Sequence, residues 1–176
     1  PIARKWHINF CVNRGYSSAT AMYDLALRIK EAIAEGRKCL ILYLGDHDPS
    51  GLDMIRDIRE RILEFLEKWE YDDEIMMDED SFEIRHIGIT KEQIEEYNPP
   101  PNPAKTTDSR STGYIEKHGK MSWEVDALKP DVLREIIDEA IEAVVDIDLM
   151  DEWIEKERND AEKLKIYAKE IKEHGG

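Results

Sequence analysis

The sequence predicts an α/β fold, a mostly parallel sheet flanked by helices, and three observations carry that expectation. Short β-rich runs at His7–Asn13, Lys38–Gly45 and Phe82–Ile89 alternate with segments whose apolar residues recur at helical spacing. The middle run is apolar without interruption from Cys39 to Leu44, the pattern of a parallel strand covered on both faces. Repeated alternation of strand and helix favours right-handed crossovers and puts the working edge at the carboxyl ends of the strands.

Each element has a local cause. After HINFCVN come the turn Arg14-Gly15-Tyr16 and two serines, Ser17 and Ser18, either of which can cap a helix. Met22, Leu25, Ala26, Ile29 and Ile33 then build one apolar stripe, and Gly36 is a favoured stop. A second helix is expected from about Gly51, with Leu52, Ile55, Ile58, Ile62, Phe65 and Trp69 facing inward. Glu70–Asp80 holds seven acids and no base, and reads as a solvated loop. Thr90 and Gln93 have capping-box spacing for a short helix after FEIRHIGI. The prolines of NPPPNPAKTTDSRSTG favour an extended loop. Helical patterns over Pro130–Leu149 and Met150–Lys172 complete the chain. The division expected is an α/β unit over residues 1–150 and a charged helix over 151–176 that lies on the surface or against a protein partner.

Composition narrows the function. With 176 residues, 41% hydrophobic and 37% charged, the chain can build one ordinary core beneath long solvated helical faces. Cys39–Leu44 is far too short to span a bilayer and no signal-peptide pattern is present, so no membrane and a cytoplasmic location are the default expectations. Cys11 and Cys39 sit in apolar runs and read as buried free thiols. Forty acids against 25 bases give a net charge of −15, which repels polyanions and counts against a nucleic-acid role. The charge is uneven, however. Asn98–Trp123 carries Lys105, Arg110, Lys117 and Lys120 against Asp108 and Glu116, which leaves room for a local basic surface.

The chemistry concentrates in LYLGDHDPSG. Side chains two apart on an extended chain share a side, so Asp46 and Asp48 should present their carboxylates together while His47 points away, toward solvent or a supporting position. Pro49 biases Asp48 toward extended geometry. Two hard oxygen ligands with retained waters suit Mg²⁺ or Mn²⁺. Ser50 and Asp53 have capping spacing, and the helix start offers amide donors suited to a phosphate. Arg14, Lys105 and Arg110 are candidate phosphate contacts, and Glu124 and Asp126 in SWEVDAL are candidate additional acids. The competing readings are solvated turn carboxylates, surface charges and a helix-entry packing motif.

LYLGDHDPSG resembles the D-x-D-P-x-G segment of Toprim domains, especially those of the topoisomerase VI A subunit and its meiotic relatives. FCVNRGYSS resembles the strand and glycine turn before that segment, and GITKEQIEEYNPPPNPAKTTDSR with SWEVDAL resembles the later loop and helix entry. The resemblance implies a Toprim-like, Rossmann-like sheet, a Mg²⁺ cofactor, DNA as partner, and strand cleavage, rejoining or phosphodiester hydrolysis, with Asp46 and Asp48 as the catalytic metal-binding pair. The family also uses a Glu ending an earlier strand. No such strand precedes His7, so a fold lacking its first strand is expected, with Pro1 an internal cut point; Glu124 as a stand-in is the weaker option. Nothing here resembles the separate domain that carries the family's nucleophilic Tyr, and Tyr16, Tyr97 and Tyr114 have no support for that role. The alternative is a non-catalytic, acidic Toprim-like interaction module. A haloacid-dehalogenase-type phosphohydrolase ranks below both, because Pro49-Ser50-Gly51 follows the aspartates.

Overall fold

The computed structural model describes residues 2–12, 18–73, 82–104 and 110–174. The chain forms two compact units, residues 1–137 and 138–176. It is an α/β protein dominated by helices, whose parallel sheet has two strands among the described residues.

The first unit opens with a single helical turn, α1 (Ile2–Lys5), that leads into the buried Trp6. The strand expected over His7–Asn13 does not form: residues 8–12 have no regular structure, and Asn13 lies outside the described residues. The alternation there is real but finds no sheet to cover, leaving Phe10 and Val12 73% and 70% exposed. Cys11 is exposed for the same reason, against the expectation of a buried thiol.

Helix α2 (Ala19–Ala34) is capped by Ser18, whose Oγ accepts from the Ala21 N–H at 3.1 Å. At its end Gly36, at φ 73°, donates to the Ile33 carbonyl and Arg37 donates to that of Ala32. That is a Schellman closure, and only glycine adopts its left-handed turn without strain. β1 (Cys39–Leu44) and β2 (Phe82–Gly88) pair in parallel from Cys39↔Phe82, with an irregularity after Tyr43. β1 is only half-buried along its whole length, not covered on both faces as its sequence suggests.

Between the strands runs α3 (Pro49–Asp73), with Pro49 at the first helical position, where a missing N–H costs nothing. It starts two residues before the expected Gly51, and residues 70–73 of the expected acidic loop are helical. Its buried line is Met54, Ile58, Ile62 and Leu66, which rotates the predicted stripe by about one residue. These side chains pack with Met22, Ala26, Ile29 and Phe82 in the main core.

The capping box of α4 (Lys91–Tyr97) forms as expected from Thr90 and Gln93. The expected extended loop contains β3 (Asn102–Pro103), which pairs antiparallel with β4 (Met121–Ser122). It runs into a helix that its prolines did not foretell, α5 (Ser111–His118). A 3-10 turn (Val125–Ala127) precedes α6 (Pro130–Glu142). Ile89, Leu128 and Ile136 form a second apolar cluster with Leu44, Ile94 and Trp123 around them.

In the second unit α7 (Ile147–His174) is a single helix of 28 residues. Among the described residues no helix is long and apolar enough to cross a membrane.

Candidate functional site

The candidate site lies where β1 leaves the sheet. Pairing continues one step beyond the strand, with the Gly45 N–H donating to Gly88 O at 2.6 Å and the Ile89 N–H to Gly45 O at 2.7 Å. His47 then exchanges two main-chain hydrogen bonds with Trp123, at 2.8 and 3.1 Å, which holds this stretch extended. The aspartates thus occupy the connection between β1 and α3, just past the strand.

Both carboxylates are oriented by main-chain donors. Asp46 Oδ1 accepts from the Val125 N–H at 2.8 Å, and Asp48 Oδ1 accepts from the Gly51 N–H at 2.6 Å. Asp48, with its carbonyl accepting from the Leu52 N–H, therefore caps α3, the task the sequence suggested for Ser50. The cap consumes one of the amides that could have met a phosphate. No ion pair among the described residues engages either carboxylate.

Two glycines make this closure possible. A Cβ on Gly51 would overlap the Asp46 carbonyl oxygen, and one on Gly45 would overlap the Tyr43 ring. That ring folds over Gly45 so that its hydroxyl donates to Gly51 O at 3.1 Å. The Tyr43 hydroxyl is pushed up to about 12, first by burial and then by the negative charges of Asp46 and Asp48.

His47 is 3% exposed and belongs to the interior, not to solvent. Its ring lies against Tyr114, His118 and Trp123, with centroids 5.0–5.9 Å away. The Tyr114 oxygen is 2.9 Å from His47 Nδ1, 2.8 Å from His47 O and 2.9 Å from Met121 O. Carbonyls only accept and a phenol has one proton, so Tyr114 donates to a carbonyl and His47 Nδ1–H donates to Tyr114. Burial, then the neighbouring His118, hold the His47 pKa below its usual value, which keeps the ring neutral. His118 is lowered by burial and then by Lys91 and Lys117. Tyr114 is pushed up to about 12 by burial and then by Asp48, so it is a structural hydroxyl and not a ready nucleophile.

The other sequence candidates separate. Arg110 is brought to the first turn of α3, where it meets Asp53 at 3.0 Å and Ser50 Oγ at 3.4 Å. Asp53 also pairs with Arg56 at 2.8 Å, so its carboxylate orients two arginines. Glu124 adjoins the Val125 amide that holds Asp46, but its side chain and that of Asp126 are exposed. Arg14 and Lys105 lie outside the described residues. Tyr43 and His118 are participants that the sequence reading did not name, while His47 takes the supporting position it allowed and Tyr114 serves as a buried hydrogen-bond partner on a helix, not in a loop. The Ser111, Tyr114, His118 spacing was a visible hint of a buried helical face.

Among the described residues no group of three or more His, Cys, Asp or Glu side chains is arranged to enclose a metal ion. Asp46 and Asp48 each have one carboxylate oxygen held by a main-chain amide, Asp46 by Val125 and Asp48 by Gly51. Comparison with protein-family models, with curated proteins and with solved structures finds no match.

Proposed function

We propose that the chain is a Toprim-like, Mg²⁺-dependent phosphodiester enzyme domain acting on DNA. One observation carries this reading: Asp46 and Asp48 sit just past the carboxyl end of a parallel strand, each oriented by a main-chain amide. Asp46 and Asp48 would hold Mg²⁺, or Mn²⁺, which supplies charge stabilisation to a phosphoryl oxygen. The chain's own residues orient the partners. Val125 and Gly51 fix the carboxylates, and Asp53 and Ser50 hold the Arg110 guanidinium beside the same helix turn, from which Arg110 is proposed to contact a backbone phosphate. Lys105 and Arg14 are proposed to extend that contact. Glu124, one residue from the amide that holds Asp46, is the nearest candidate in sequence for a further acid, with Asp126 beside it. The test is DNA cleavage with and without Mg²⁺ by the full-length protein. Asp46→Ala with Asp48→Ala should abolish the Mg²⁺-dependent product, and unchanged cleavage refutes the reading.

The second reading is a non-catalytic, acidic interaction module. The net charge of −15 and the lack of a third clustered acid among the described residues favour it. Under this reading Mg²⁺ leaves thermal stability unchanged, whereas the enzyme reading requires a saturable stabilisation that Asp46 controls.

A further inference from the structure

We infer that α7 is a self-association helix, pairing antiparallel with α7 of a second copy of this chain. The inference is independent of the metal reading. Every residue of α7 from 155 to 172 is exposed, including Leu164 at 68% and Ile171 at 71%. A helix of this length spans about 42 Å, and a lone solvated helix gains no tertiary packing to support it.

Most apolar residues of α7 share one face, with Leu149 and Ile166 off it and Met150 and Ile154 partly buried. Ile147, Met150, Ile154, Leu164, Ala168 and Ile171 fall on one line of alternating three- and four-residue steps, the seam of a coiled coil over four heptads. Glu157 and Ala161 fill the remaining two places on that line. The glutamate selects the orientation. In a parallel pair Glu157 would face its own copy inside the seam, like charge against like charge. In an antiparallel pair centred near Asn159, Glu157 faces Ala161, Ile154 faces Leu164, Met150 faces Ala168 and Ile147 faces Ile171 of the other copy.

On the flanks the same registration brings Arg158 and Asp160 each against its own copy beside the two-fold, and farther out it sets Asp151 opposite Lys165 and Trp153 opposite Tyr167, an ion pair and an aromatic pair. The two-fold axis repeats each of them, which is the self-complementarity an isologous interface needs. Trp153 and Tyr167, 60% and 59% exposed, are thereby covered.

Sedimentation equilibrium of the full chain across micromolar concentrations tests the inference. A species of twice the 20.6 kDa chain mass is expected, reduced to the single chain mass by Leu164→Glu with helical circular dichroism retained. Lys165→Glu should weaken the dimer at least tenfold, and adding Asp151→Lys should restore it. In a background of Cys11→Ser and Cys39→Ser, Arg158→Cys should cross-link with oxidant, because the two-fold passes near it, while Leu164→Cys should not. A monomer throughout, a dimer indifferent to Leu164→Glu, no recovery in the double charge variant, or cross-linking of Leu164→Cys alone would each overturn the proposal.

Discussion

Asp48 caps α3, and a pair of substitutions measures what that cap contributes. Its Oδ1 accepts from the Gly51 N–H at 2.6 Å, so the carboxylate closes the first turn of α3. A cap of this kind contributes about 1 kcal/mol, and a negative charge at a helix start adds roughly 0.3–1 kcal/mol. Asp48→Ala in metal-free buffer is therefore expected to cost about 1–2 kcal/mol, or about 2–8 °C in Tm for a chain of this size. Asp48→Asn keeps the acceptor and loses only the charge, so it should cost less than about 1 kcal/mol. Urea unfolding followed by circular dichroism gives both values. An alanine variant within about 0.3 kcal/mol of wild type, or an asparagine variant as destabilised as alanine, would refute the assignment of Asp48 as the cap.

Three further predictions use the same geometry. Gly51→Ala must displace the Asp46 main chain and should cost about 1–3 kcal/mol by urea denaturation, against a gain if Gly51 were an ordinary helical glycine. Tyr114→Phe leaves the buried His47 Nδ1–H without its acceptor and should cost about 1–3 kcal/mol in the same assay; a neutral outcome would show that the hydroxyl holds nothing. His47 and His118 have lowered pKa values in the folded state, so below their usual 6.5 the unfolded chain binds more protons than the folded one. Their contribution is complete above that pH and is lost as pH falls through the lowered values. His118→Gln should therefore flatten the decline of the urea midpoint between about pH 7 and pH 5, and an unchanged slope would contradict the His118 part of this account.

What could be foreseen divides along a physical line. Elements fixed by neighbours in sequence were legible: the Ser18 cap, the Gly36 stop and the Thr90–Gln93 box each depend on residues within a few positions, and the runs that become β1 and β2 were marked by their own apolar residues. The run at His7–Asn13 was misread because alternation reports a face available for burial, and whether a partner strand exists is a non-local matter. The stripe of α3 was offset because Leu52 and Phe65 adjoin apolar alternatives on the helix surface, and packing against Met22 and Ile29 chose Met54 and Leu66. At the site, Asp46 and Asp48 were conspicuous, yet the interior role of His47 depends on Tyr114, 67 residues away. Separations of 57 and 60 residues hid Arg110's seat beside Asp53 and Ser50, where the sequence reading had offered it to phosphate.

The hard-cation assignment stands or falls on a Mg²⁺ titration of the intact chain by calorimetry, beside Asp46→Asn, which keeps an oxygen for the Val125 amide. Saturable heat from wild type that disappears in the variant, with folding unchanged, is the expected result. No binding by wild type, or equal binding by both, would contradict it.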